Sequence, residues 1–111
     1  MRRVVIESPF AASDPEKRQE NVDYARACMS EALRRGGAPL ASHLLYTQPG
    51  ILDDTIPEER KKGMDAGFAW MSVAEAVVVY IDLGTSPGME REIEAAKRFR
   101  IPVEFRSLED N

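Results

Sequence analysis

Apolar positions along the chain fall into short continuous runs separated by longer stretches of helical period. Arg3 to Glu7 is the first run, closed by Ser8-Pro9-Phe10, where proline lacks the N–H that regular pairing requires. A polar loop leads to Asp14-Pro15-Glu16, an N-cap followed by proline at the first helical position. The helix predicted from there runs to about Arg35 and stops at Gly36-Gly37, with Ala25, Cys28 and Ala32 on its inner face. Ala38 to Ser42 reads as a short second strand, and His43 to Ile56 as an irregular loop of the length often used for binding. Pro57 to Val73 has helical period, with Glu58 and Glu59 in its first turn as the dipole prefers. Val77 to Ile81 is the third strand, a β-branched run suited to burial on both faces. A third helix follows the Gly84 to Gly88 turn, and Pro102 introduces a last strand, Val103 to Arg106.

This alternation of strands and helices predicts an α/β fold, a three-layer sandwich of Rossmann or flavodoxin type. Its mostly parallel four-stranded sheet would have the order 2-1-3-4, with helices on both faces and residues 1–111 forming a single domain. Ligands bind such sheets at the carboxyl ends of the strands, beside the point where strand order reverses. Ser8-Pro9-Phe10 and the segment from Gly84 to Glu92 would meet there, with His43 nearby and Asp82 at the end of the third strand.

Within that region Glu92 stands out. At about 100° per residue it falls in the apolar sector of the last helix, in its first turn, beside Met89, Ile93 and Ala96. An unpaired buried charge is costly. Either the carboxylate answers its own helix N-terminus or an arginine, or it faces a pocket as nucleophile, base or ligand-binding group. Asn21 sits on the inner line of the first helix, and solvation near the helix start is the plain explanation for it. His43, the single histidine, has packing or capping of its loop as the alternative to a site role. Asp65 is the acid in the interior of the second helix, and its facing is ambiguous. Gly63 and Gly67, four apart, line one face of that helix and permit close packing.

Charge narrows the range of partners. With a net charge of −4 and a pI near 5.0, the chain lacks the surface for polymeric nucleic acid. The lone Cys28 excludes an intrachain disulfide and fits a reducing cytoplasm. No segment has the length of a membrane span, and the first residues lack a signal-peptide pattern. Asp53-Asp54 has no further ligand pattern, so no metal is expected.

Three features together resemble the nucleoside 2-deoxyribosyltransferase-like superfamily, which includes deoxynucleoside 5′-monophosphate N-glycosidases and many small phage and bacterial proteins. These are the first strand ending in Ser8-Pro9-Phe10, the N-x-x-x-A spacing of Asn21 and Ala25 with Tyr24 between, and Ser86-Pro87-Gly88-Met89-Glu90-Arg91-Glu92, which follows an S-x-G-x-x-x-E pattern. The resemblance implies that Glu92 is a nucleophile attacking the anomeric carbon of the sugar. It further implies that Ser86, Gly88 and the neighbouring Gly84 and Thr85 hold a 5′-phosphate or 5′-hydroxyl at the helix start, and that Ser8, Pro9 and Phe10 line the base and sugar pocket. The family's aspartate in the preceding helix corresponds to Gly67. Asp65 is two residues away, roughly 200° around the helix, so it, His43 or a partner subunit's residue is a candidate for that role.

The resulting expectation is cleavage or exchange of an N-glycosidic bond in a nucleoside or nucleotide, without a cofactor, by a homodimer or higher homo-oligomer. The alternative from another class is a nucleotide-binding sensor that uses the same pocket without chemistry.

Overall fold

The computed structural model describes residues 1–109. Four strands, β1 (Arg2–Glu7), β2 (Gly37–Leu40), β3 (Ala76–Tyr80) and β4 (Val103–Arg106), form one parallel sheet in the order β2-β1-β3-β4. Four helices connect or flank them: α1 (Pro15–Arg34), the short α2 (Ser42–Leu45), α3 (Pro57–Met71) and α4 (Pro87–Arg98). The order and the parallel sense are those the strand and helix pattern predicts. The first helix ends one turn residue earlier than expected, and Gly36 adopts φ +84° before Gly37 enters β2.

Strand parity sets the two cores. Val4 and Ile6 of β1, with Ala76, Val78 and Tyr80 of β3, point to one face and pack on Cys28 and Ala32 of α1. Val5, Val77 and Val79 point to the other, against Met71 of α3 and Met89, Ala95 and Ala96 of α4. Every residue of β3 is buried, which explains the uninterrupted apolar run. Burial of this apolar surface supplies the main driving force of folding.

Two expectations need correction. Ser42 to Leu45 is a turn of helix and not part of a strand or irregular loop, so β2 stops at Leu40. Leu44 joins the core on the α1 side, while Ser42 backs onto Gly67 of α3. A Cβ at Gly67 would lie 2.8 Å from Ser42 Oγ and 3.3 Å from Ser42 Cβ. The glycine therefore lets α2 sit close to α3, and that contact carries His43 to the end of β1.

Candidate active site

A cavity of about 270 Å³ opens at the carboxyl end of β1, between α2, α3 and the start of α4. Its polar lining includes Glu7 and Ser8 at the end of β1, His43 of α2, Arg60 of α3, and Arg91 and Glu92 of α4. Phe10, Met64 and Met89 supply apolar surface, and Ser86 and Gly88 form the rim at the α4 N-terminus. The crevice lies where strand order reverses, as expected for this type of sheet.

The two carboxyl groups at its base face each other. Glu7 follows Ile6 in β1, so parity turns its side chain toward α4, and it is only 6% exposed. Glu92 is the sixth residue of α4, one turn deeper than the sequence suggests, and presents its carboxyl to Glu7. Burial, the Glu92 charge and their mutual hydrogen bond raise the Glu7 pKa well above the carboxylate range. Burial also lifts Glu92, to about 6, against the opposing effects of the hydrogen bond from Glu7 and the Arg91 charge. Two carboxyls in contact and out of water do not both ionise freely, so the pair shares a proton, with the hydrogen bond running from Glu7 to Glu92. Glu7 carries no motif, and only the parity argument, extended one residue past the apolar run, could have pointed to it.

Ser8 Oγ and His43 Nε2 are hydrogen-bonded at 2.8 Å, and the imidazole stands edge-on to Phe10 with ring centroids 6.0 Å apart. Removal of the ring from water lowers the His43 pKa to about 4, so the imidazole is neutral at physiological pH. At the rim, the Ser86 side chain caps α4 by accepting from the Met89 N–H at 3.2 Å. The Gly88 N–H has no intramolecular acceptor among the described residues. Arg60 lines the cavity beside Asp54 and forms no salt bridge among the described residues.

Ser8, Phe10, His43, Ser86, Gly88 and Glu92 are therefore gathered around one cavity. The remaining candidates lie elsewhere. Asp65 is on the outer face of α3, 59% exposed and ion-paired with Lys61 at 2.9 Å, which removes it from any catalytic role in this cavity. Asp82 continues the parity of Tyr80 toward α1, away from the crevice. It accepts from Tyr24 and Ser107 hydroxyls, both at 2.5 Å, and from the Leu108 N–H. Burial opposes its ionisation, but these bonds prevail and hold its pKa at about 2. Asp82 is thus a latch for the segment after β4. Gly84 and Thr85 are exposed and lie outside the cavity lining, where Gly84 serves the turn with φ +78°. Pro9 does not line it either. Asn21 is buried behind it, donating from Nδ2 to the Phe10 carbonyl at 3.0 Å and so holding the β1 loop in place.

Residues 2–106 match the family described as a domain of unknown function (DUF7768). A solved structure of the 2-deoxyribosyltransferase from the psychrotolerant bacterium Bacillus psychrosaccharolyticus has the same fold, with a TM-score of 0.64 at 17% identity. That similarity covers 95% of this chain and 72% of the other. No curated protein matches the sequence.

Proposed function

The chain belongs to the DUF7768 family and has the deoxyribosyltransferase fold, and from this we propose that it cleaves or exchanges the N-glycosidic bond of a nucleoside or nucleoside 5′-monophosphate. The observation that carries the proposal is the buried pairing of Glu92 with a second carboxyl in a cavity at the strand-order switch point. A pure binder of anionic ligands gains nothing from two acids at the base of its pocket.

Glu92 attacks C1′ of the sugar as the base departs, and the glycosyl-enzyme ester is then released to a second acceptor. Its protonation state suits the task, because Glu7 keeps the shared proton and leaves a carboxylate on Glu92 near neutral pH. The sugar lies over Glu92, with its 5′ substituent toward the Gly88 N–H and the guanidinium groups of Arg60 and Arg91. Ser8, oriented by neutral His43, and the Phe10 ring then face the base. The functional unit is a homo-oligomer. Leu33 and Trp70 leave apolar surface exposed beside β2, where a second copy would cover it.

The test is chromatographic detection of free base from deoxynucleosides and their 5′-monophosphates, with and without a second base, beside Glu92→Gln. Base release that falls at least ~10³-fold in the variant supports the nucleophile. Activity that survives the substitution sinks it. No release from any substrate, combined with ligand-dependent thermal stabilisation, would establish the binding module instead.

A further inference from the structure

A departing nucleobase takes the electron pair of the glycosidic bond, and it leaves poorly unless a proton arrives as that bond breaks. The group expected to assist from α3 is absent. Gly67 stands at its place with Ser42 filling the space, and Asp65 points to solvent. His43 does not supply the proton either, since its Nε2 is engaged with Ser8 and the ring is neutral. Glu7 remains. It is fixed by the last ladder position of β1, paired in register with Val79, lines the cavity, and is in hydrogen-bonding contact with Glu92. Carboxyl groups in contact leave no room for the water that a single displacement holds between two acids roughly 6.5–9.5 Å apart, whereas a double displacement, with its acids about 5–5.5 Å apart, asks the pair to part only slightly as the sugar enters.

We propose that Glu7 is the acid and base of the reaction, giving its proton to the departing nucleobase and then recovering one from water. The proposal rests on Glu92 being the nucleophile. In the first step a bond forms between Glu92 Oε and C1′ while the C1′–N bond breaks. The electron pair goes to the base nitrogen, which takes the Glu7 proton. In the second step the Glu7 carboxylate removes a proton from water as its oxygen attacks C1′. The ester C–O bond breaks, its electron pair returns to Glu92, and Glu7 is again protonated. The cycle closes with water as sole co-reactant, so base release needs no second base. Glu92 from α4 meets Glu7 directly, and the other titratable and charged groups that line the cavity with it are Arg91 from α4, His43 from α2, Arg60 from α3 and Asp54 before it.

The experiment compares wild type, Glu7→Gln and Glu7→Ala on 2′-deoxyguanosine 5′-monophosphate and on its 7-methyl derivative, whose cationic base departs without a proton. Glu7→Gln should lose ~10²–10³-fold in kcat on the first substrate. It should keep a near-wild-type burst of base release on the second, while a chain bearing one added sugar phosphate accumulates in the mass spectrum. Azide, a nucleophile that needs no base, should discharge that species from Glu7→Ala as the glycosyl azide. The fall in kcat/KM on the alkaline side, where wild-type Glu7 ionises, should vanish. Equal losses on both substrates, or no loss, would overturn the role of Glu7 and leave Glu92 standing. A wild-type chain that releases no base overturns both. Should Glu7→Gln fail to fold, Glu7→Asp, which withdraws the acid by one methylene, supports the same comparison.

Discussion

At the scale of single residues, the site is a set of groups displaced from their solution behaviour by burial. His43 illustrates it and allows a clean measurement. Its pKa is lowered from 6.5 to about 4, so the unfolded chain binds more protons than the folded one between those values. The neutral ring therefore contributes stability that is fully present above pH 6.5 and lost as pH falls toward 4. Glu7, raised by burial and by Glu92, and Glu92, raised by burial against the hydrogen bond from Glu7, act in the opposite sense and lose their contribution as pH rises through their window. The comparison that isolates the histidine is wild type against His43→Gln, which retains a partner for Ser8. Thermal midpoints of the two should diverge in slope between pH 6.5 and 4, with wild type falling more steeply as acid is added. Parallel curves would mean that the ring is solvated.

At the scale of elements, the spacing of α2 and α3 determines where His43 sits. Gly67→Ala gains helix propensity, about 1 kcal/mol, yet places a methyl group against Ser42. Ser42 Oγ can rotate away, but its Cβ at 3.3 Å cannot without moving the backbone of α2. Overpacking of this kind costs ~1–3 kcal/mol, so the net change in urea unfolding should be a destabilisation of up to ~2 kcal/mol. The same displacement should lengthen the Ser8–His43 contact and lower kcat by more than the stability change suggests. Gly67 and Ser42 are far apart in sequence, and nothing in either residue's neighbours announces the contact. The spacing of Gly63 and Gly67 showed that something approaches closely; only the folded chain shows what.

At the scale of the whole molecule, a net charge of −4 surrounds a cavity that carries arginines. The overall field disfavours polyanions, while Arg60 provides a local attraction for a single small anion. Arg60→Ala should therefore raise KM for a nucleoside 5′-monophosphate by ~10-fold, about the worth of one charge-assisted contact. KM for the corresponding nucleoside should change by less than ~2-fold, and the difference between the two should shrink in high salt. Equal effects on both substrates would place the 5′ group elsewhere. Helices of this chain are not long and apolar enough to cross a membrane, among the described residues.

Much of this was legible without coordinates, because it depends on local periodicity. The strand of five buried residues, the Asp14-Pro15 and Ser86-Pro87 helix starts, and the order of elements all follow from side-chain spacing and capping chemistry, and a parallel four-stranded sheet then has few ways to close. Periodicity also placed Glu92 on the inner side of its helix. What it could not decide was which inner-facing polar groups meet. Glu7 ends β1 and Asp82 lies two residues past β3, yet parity sends Asp82 to α1 as a latch and Glu7 to α4 as the partner of Glu92. Asp65 and Arg60 share one helix, yet only Arg60 reaches the cavity. The sequence determined the sheet and the position of the crevice, since strand and helix periods are local and a parallel sheet built from them closes in few ways, with its switch point at the strand ends. The tertiary structure decided the chemistry of the crevice, because the proton shared by Glu7 and Glu92 exists only where two distant segments exclude water around a pair of acids.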